Sequence, residues 1–443
     1  MLPETSSRRS GVEARRLLLL ATTTGYQTHA FVEAAEKLGL DVVFGTDRCH
    51  VLEDPWRDGA LPLRFEDPQN SAARILEYAR TNRVDAVVAL GDRPTPTAAR
   101  ASRALGLLHH PAEAADVCRD KYLSRERLRA AGLSVPGFQR FRLTANPYAI
   151  ASGFGRGFPC VLKPLALSAS RGVIRADDPE QFVAAFERIR NLLRSPEVRV
   201  LREETSDFIQ VETYVAGEEI AVEGLMDRGR LKVLAIFDKP DPLTGPFFEE
   251  TIYVTPSRLP AAVEAAVDET LEQATRALGL YHGPLHAELR LDPVGSLSPS
   301  NIWVMEVAAR SIGGLCSRAL RSSSPSHGEG MGLEELLIRL ALGEDLHEVQ
   351  REPMASGVMM IPVPEAGIYI EANGVEAARA TPGVEDVVIT AKPAEKLVPL
   401  PEGASYLGFI FARGPSPEFV EDALRQAHAK LRFEIAAALP VVR

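Results

Sequence analysis

The sequence predicts a multidomain chain of mixed α/β and α+β class, and three observations carry that reading. From Arg15 to Asp92, apolar strand-like runs alternate with helical periodicity, the pattern of a parallel, doubly wound (Rossmann-like) sheet. From Phe208 to Lys239, three strand-like runs are broken by the turns AGE and DRG, the pattern of an antiparallel meander. Beyond about Ser356 the chain changes to short strands with two helices, an α+β lobe. The 443 residues suffice for about three domains of ordinary size. They divide at 15–115 (amino-terminal α/β), 116–345 (central) and 346–443 (carboxyl-terminal α+β), after a polar tail over 1–14.

Composition excludes several classes of function. With 45% hydrophobic and 25% charged residues the chain is an ordinary globular protein. Its formal charge of -10 argues against a nucleic-acid surface. Cys49, Cys118, Cys160 and Cys316 are scattered without CxxC spacing, so neither zinc site nor disulfide framework is expected, and reduced thiols point to the cytoplasm. The LLLLA run after Arg15 and Arg16 imitates an export signal but stops at Thr22, too short to be one. No run approaches membrane-spanning length.

Taken in order, RLLLLATTTG is a buried strand ending in a Thr and Gly turn. A helix follows through FVEAAEKLG, then a strand at DVVFGT, a helix from about Ser71 to Arg83 and a strand at DAVVALGD. The crevice of such a sheet opens at the carboxyl ends of its strands, at Thr23, Thr24, Gly25 and at Gly91, Asp92, Arg93. The first turn lacks GxGxxG, so no dinucleotide is expected and the domain reads as a structural lobe with one edge near a substrate. Between Pro111 and Pro136 the chain is helical, with Gly132 as a stop. Lys121 stands near the start of the second helix there, where orphan amides and a cation both favour phosphate.

FPCVLKP is a short strand that delivers Lys163, and Ser168, Ala169, Ser170, Arg171 and Gly172 form a loop whose amides can close over phosphates. A helix from Pro179 to about Leu193 precedes the meander. Within it, VETYVAGEE reads as a connection between two lobes whose exposed backbone can pair with a purine edge, with Glu219 in reach of a ribose hydroxyl. Asp238 to Ser257 is too irregular for an ordinary strand and reads as a covering or connecting loop. Next comes the cleanest helix, with Val263, Val267, Leu271, Ala274 and Leu278 on one face and Gly279 as its stop.

That helix delivers the stretch around which the chemistry gathers. Leu285, Ala287, Leu289 and Leu291 form one face of a strand, and His286, Glu288 and Arg290 the other. A turn-rich segment from Asp292 to Asn301 returns the chain into IWVMEVA, which carries Glu306. Antiparallel pairing sets Glu288 roughly opposite Glu306, and like charges there destabilise a bare sheet, so a cation belongs between them. Two carboxylates and several waters are the usual holders of an Mg²⁺ that also touches phosphate. Arg310 and Gly313-Gly314 follow, a planar anion fork and a permissive backbone. Either glutamate alone reads as a solvent-facing residue of a half-exposed sheet; their joint occurrence with Arg310 favours the metal. Beyond Leu320, RSSSPSHGEGMG is flexible in composition and GLEELLIRLALGE is helical. The final lobe holds strands at GVMMIPV, GVEDVVIT and YLGFIFARG, with helices near Val375 to Ala380 and Glu418 to Leu431, and no catalytic constellation.

In order and spacing, DK at 120-121, VLKP at 161-164, the SASRG loop, VETYVAGEE, the HAE strand, MEVAAR and the following GG resemble the ATP-grasp superfamily. EVAARSIGG and the DKPDPLTGPFFEE loop are most similar to its carboxylate–amine ligase branch, which includes the L-amino acid ligases. The resemblance covers nearly the whole chain and implies an ATP-grasp fold: an amino-terminal doubly wound domain, a two-part nucleotide clamp and a carboxyl-terminal lobe. It further implies that Lys121 and Lys163 contact the α- and β-phosphates, that Glu212 and the Val215 backbone hold the adenine, and that Glu219 takes the ribose. Glu288 and Glu306 would hold Mg²⁺, for which Mn²⁺ can substitute, and Arg310 would face the γ-phosphate. Two positions depart from the family pattern. Ala308 stands where many members have an asparagine metal ligand, and Thr213 where an adenine-facing lysine is common.

The expected chemistry is ATP-dependent activation of a carboxylate as an acyl phosphate and its condensation with an amine, with small molecules as partners and amino acids as the favoured substrates. Arg310 and the Gly313 and Gly314 amides would stabilise the tetrahedral oxyanion. Lys239, Glu249 and Glu250 are candidates for substrate recognition, Glu250 for the amine; His286 is a substrate contact, a base or a structural hydrogen-bonding residue. The alternatives are a carboxylase or purine-biosynthesis-type ligase using bicarbonate or formate, and a catalytically silent nucleotide-binding protein. A homodimer is the default assembly.

Overall fold

The computed structural model of the chain describes residues 15–22, 26–47, 60–155, 157–165, 167–292 and 301–437. The polar tail, Thr23, Thr24, Gly25, Cys49 and most of the turn after Asp292 lie outside them.

Alternation at the amino end produces the expected parallel sheet, with strands in the order Ala60–Pro62, Asp41–Thr46, Arg16–Ala21 and Ala86–Leu90. Leu18 and Leu20 pack with Ile75 and Ala98 of helices Pro68–Ala79 and Thr95–Leu105, while Leu17 and Leu19 pack with Phe31 and Val32 of helix Tyr26–Lys37. Both faces are covered, which is why the leucine run shows no alternation. The helix expected from Ser71 begins earlier, because Asp67 caps it by accepting from the Asn70 N–H and Pro68 fits the first turn. Part of the cover comes from far along the chain: helix Leu333–Ala341 joins the Leu17 and Leu19 cluster, and its Glu335 pairs with Lys37 at 2.7 Å.

A second, antiparallel sheet runs Phe138–Arg142, Phe208–Thr213, Cys160–Pro164, Ile174–Ala176. Helix Pro179–Arg194 covers it with Phe182, Phe186 and Ile189. Here the expected meander fails at its first strand. Phe208–Thr213 belongs to this small sheet, and the residues after it carry the chain across to another sheet instead of turning it back. Only Glu218–Asp227 and Arg230–Asp238 form a hairpin, with positive φ at Arg228 and Gly229.

The third sheet has eight strands, each antiparallel to its neighbours: Ile302–Ala308, Gly283–Leu291, Glu218–Asp227, Arg230–Asp238, Ile252–Thr255, Ala355–Ile361, Gly408–Gly414 and Val384–Ile389. The supposedly irregular 238–257 segment thus ends in a strand, and that strand joins the carboxyl-terminal strands to those of the central region. RSSSPSHGEGMG, flexible by composition, forms a short pair of strands, Arg321–Ser324 and Gly328–Gly332. Helix Ala261–Leu278 lies beneath the sheet with all five expected apolar residues buried, and Gly279 closes it at φ +76.

Candidate active site

Glu288 and Glu306 are register partners. On Gly283–Leu291 the expected alternation holds: Leu285, Ala287, Leu289 and Leu291 pack with helix Ala261–Leu278, leaving His286, Glu288 and Arg290 on the other face. On Ile302–Ala308 it holds only through a bulge. Ile302, Val304 and Val307 all enter the same core, so strict alternation would bury Glu306 with Val304. The register shift between Glu288 and Leu289 leaves Met305 as the extra residue, reverses the phase and returns Glu306 to the face of Glu288. The Met305 carbonyl accepts from the Arg125 guanidinium.

Glu288 and Glu306 line a cavity of about 860 Å³ to which each of the three sheets described above contributes, Leu90 from the first, Lys163 from the second and Glu288 from the third, with Asp92 just beyond the first. Lys121, Arg171, Glu212, Glu219, Glu250 and Arg310 also line it. Helix Lys121–Ala130 begins at Lys121 as expected, but Asp120 accepts from the Tyr122 and Leu123 N–H groups. Two of the orphan amides expected to favour phosphate are therefore already capped, which shifts the weight of anion binding toward the lysine ammonium. Lys121 Nζ lies 3.7 Å from Glu306 and donates to the Leu167 carbonyl at 3.0 Å.

Two charge clusters flank the glutamate pair. In the first, Glu212 receives Arg125 Nε at 2.8 Å, Lys163 Nζ at 2.8 Å and Gln210 Nε2 at 2.6 Å. Burial opposes its ionisation, but the two cations outweigh burial and hold it at about 2. In the second, Lys239 Nζ lies 2.8 Å from Glu219, 2.5 Å from Glu250 and 3.4 Å from Glu288. These carboxylates each offer an oxygen within 4.8 Å of the others. Arg290 adds a second cation at 2.8 Å from Glu219 and donates to the Val215 and Leu243 carbonyls.

The glutamate pair feels both clusters. Burial, opposed by Lys239 but aided by Glu250, Glu219 and Glu306, pushes Glu288 up to about 8. Glu306 is half-buried, and against the desolvation it suffers Lys121, Lys163, Arg310 and Arg125 hold it at about 2. Arg310 pairs with Asp92 at 3.0 Å, joining the expected crevice of the first domain to the site. Gly313 and Gly314 line the cavity. Gly314 has φ +62, and a Cβ there would press on the Phe409 ring at 3.1 Å; a Cβ on Gly313 would meet nothing within 4 Å.

The SASRG loop is strained and tied down. Ala169, Ser170 and Gly172 have positive φ, the Gly172 N–H donates to the Pro401 carbonyl at 2.7 Å, and Arg171 Nε donates to the Glu402 carbonyl at 2.6 Å. Arg188 forks onto the Glu402 carboxylate, so the loop is latched to the carboxyl-terminal region, where no functional residue was expected.

Several expectations need correction. Glu212 is 2% exposed and both its oxygens are taken by internal donors, so its carboxylate orients Lys163 instead of meeting an adenine. Glu249 is not among the residues lining the cavity, whereas Glu250 is. Lys239, a candidate for substrate recognition, is buried within its three carboxylates. His286 is buried with Nδ1 3.1 Å from Glu223, and burial, with Arg310 and Lys239, holds it well below its ordinary value and hence neutral. Arg125 is not among the site residues expected from sequence, although an arginine spaced with Ser124 and Leu128 along the buried stripe of its helix is a legible anomaly.

Family models match three stretches of the chain. The ATP-grasp domain matches residues 156–319, the ATP-grasp N-terminal domain 32–108 and the L-amino acid ligase C-terminal domain 2 residues 359–436. The L-amino acid ligase from Bacillus licheniformis superposes with a TM-score of 0.79 at 26% identity, covering 96% of this chain and 100% of that one. Protein y4rH of Sinorhizobium fredii is 25% identical over 95% of this chain and 84% of its own length. Alanine–anticapsin ligase of Bacillus subtilis is 30% identical over 58% of this chain, and the match spans only 56% of that enzyme. Phosphoribosylglycinamide synthetase from Anaerococcus prevotii shares the fold at a TM-score of 0.65 and 15% identity. The chain belongs to the ATP-grasp superfamily of ATP-dependent, C–N bond-forming ligases, in its L-amino acid ligase-like branch.

Proposed function

We propose that the chain activates the carboxylate of one amino acid with ATP and condenses it with the amine of a second, releasing ADP and phosphate. The observation that carries this reading is the in-register Glu288–Glu306 pair set between a cation-rich and a carboxylate-rich cluster. Relatives named for alanine, anticapsin and D-alanine support amino acid substrates.

The donor set fits Mg²⁺: hard carboxylate oxygens on one sheet face, with Glu288 pushed up to about 8 by burial and the carboxylates around it. Glu288 and Glu306 would hold the ion, which when bound neutralises charge on phosphate oxygens; Mn²⁺ shares the ligand preference. Ala308 brings no side-chain ligand, so Glu288 and Glu306 would be the side chains that hold the ion from these two strands. Lys121 and Lys163 bind the α- and β-phosphates, Glu212 aiming the second of them, and Ser168, Ser170 and Gly172 close over the nucleotide. The Val215 backbone meets the adenine and Glu219 the ribose.

Arg310 orients the γ-phosphate as a substrate carboxylate oxygen attacks phosphorus and ADP leaves. The amine then attacks the acyl carbon; phosphate departs and the amine loses its proton. Gly313 and Gly314 amides face the oxyanion of that step, and Glu250, its charge shared with Lys239, receives the incoming ammonium. The latched SASRG loop excludes water that would hydrolyse the acyl phosphate.

The test is ADP and phosphate release with Mg-ATP across pairs of the common amino acids, with mass spectrometry of the products. Pair-dependent release with a condensed amide supports the reading. Turnover stimulated by bicarbonate or formate, and by no amino acid, overturns it. Free, buried Cys118, Cys160 and Cys316 support a reducing, cytoplasmic setting, and no helix among the described residues is long and apolar enough to cross a membrane.

A further inference from the structure

Glu223 lies in the middle of Glu218–Asp227, in register with His286 on the neighbouring strand. It shares the sheet face of Glu219, whose side chain lines the cavity, yet is itself 0% exposed and absent from the cavity wall. The two groups it holds do line that wall. One carboxyl oxygen, Oε2, accepts from the Ile312 N–H at 3.0 Å and lies 3.1 Å from His286 Nδ1. Its other oxygen, Oε1, is buried with no hydrogen-bond partner among the described residues.

A carboxyl group here is costly, because burial removes its hydration and only one oxygen is compensated. Its same-face neighbours on the strand, Ala221 and Leu225, belong to the apolar core, and a leucine would fill the space more cheaply. What the carboxyl adds is a fixed point for two segments of the site. His286 stands two residues before Glu288, and Ile312 stands between Arg310 and the Gly313-Gly314 pair. A Cβ on Gly313 would meet nothing within 4 Å, so no side chain supports this turn there; it is held by the Ile312 hydrogen bond to Glu223, together with the Arg310–Asp92 pair and the Cys316 N–H bond to the Gly313 carbonyl.

We infer that Glu223 is a positioning residue, which from beneath the cavity holds His286 and the Arg310–Gly314 segment in the geometry turnover requires. Only the kinetic part rests on the ligase reading, since the anchoring itself can be read without substrate. Displacements of about 1 Å in such segments can cost about 100-fold in rate.

The experiment compares the full chain with Glu223→Gln and Glu223→Leu, by hydrogen exchange at residues 310–314 and by kcat and the KM for ATP with the amino acid pair that turns over. Glutamine keeps an oxygen at the Oε2 position for the Ile312 N–H and His286 Nδ1, with its NH₂ in the place of the unpartnered Oε1; leucine keeps the volume alone. Expected are faster exchange and a 10- to 100-fold lower kcat in Glu223→Leu with the KM for ATP within 3-fold, and recovery of both in Glu223→Gln. Unchanged exchange in Glu223→Leu overturns the anchoring whether or not any pair is a substrate. Faster exchange with kcat within 2-fold of the parent overturns the positioning role. Should the leucine variant not fold, Glu223→Gln decides alone: retention of a third or more of kcat supports the inference, and a loss beyond 10-fold overturns it.

Discussion

At Glu212 one carboxylate faces two cations, Arg125 and Lys163, whereas at Lys239 one ammonium faces three carboxylates. The first cluster is buried, the second is half-buried, and both border the same cavity, yet one has formal positive charge to spare and the other negative, even with Arg290 counted. A polyphosphate binds where cations are in surplus, and a metal ion or a substrate ammonium where carboxylates are. Glu306 and Glu288 register the difference: paired across one ladder, they are held at about 2 and about 8. The contrast shows that this site is polarised across its width, with Glu288 and Glu306 on the boundary.

The strongest way to break this picture is Glu306→Gln, which removes the charge facing Lys121 while keeping the shape. A loss of about 10³-fold in kcat is expected, the scale of one lost transition-state contact, with nucleotide affinity within a few-fold by calorimetry. Loss of binding together with turnover would mean that Glu306 only shapes the nucleotide pocket.

Glu212→Ala tests the cation-rich side through stability. It leaves Arg125 and Lys163 buried and uncompensated, and breaking such a network costs about 3–5 kcal/mol by denaturant unfolding. The pH dependence has a definite sign. Because Glu212 is lowered from 4.5 to about 2, its contribution is present above about pH 4.5 and is lost as pH falls toward 2. Glu212→Gln should flatten that limb of the stability profile.

On the carboxylate-rich side the sign reverses. Glu288 is raised, so the folded state is penalised increasingly as pH rises from 4.5 through about 8. Without divalent metal, Glu288→Gln should therefore be more stable than the parent at pH 8, by about 1–2 kcal/mol, while losing turnover. Equal or lower stability of the variant at pH 8 would deny that this side carries surplus negative charge. The smallest effect separates the two glycines. Gly314→Ala, strained at φ +62 against Phe409, should cost about 1 kcal/mol, and Gly313→Ala about 0.5 kcal/mol or less while raising the KM for substrate.

Much of this molecule is decided by local sequence. The leucine run and its alternating helices specify a parallel sheet, because strands buried on both faces need continuous apolar runs. Helix Ala261–Leu278, its Gly279 stop and the two-faced strand after it follow from periodicity alone, and with them the placing of His286, Glu288 and Arg290. The order of the short motifs along the chain was likewise enough to suggest the family.

Tertiary structure decided what depends on partners distant in sequence. The alternation rule would have buried Glu306, and only the bulge at Met305, formed against the neighbouring strand, returned it to the site. Lys163 and Arg125 meet across the folded chain at Glu212, which pairs with both in a low-dielectric interior, where pairing must offset desolvation. The reach of Glu402 to the SASRG loop, the covering of the first sheet by Leu333–Ala341, and the hold of Glu223 on Ile312 all join segments that no local pattern links. Periodicity reports which face a residue occupies, but the charge it meets there depends on which other elements the folded chain brings to that face.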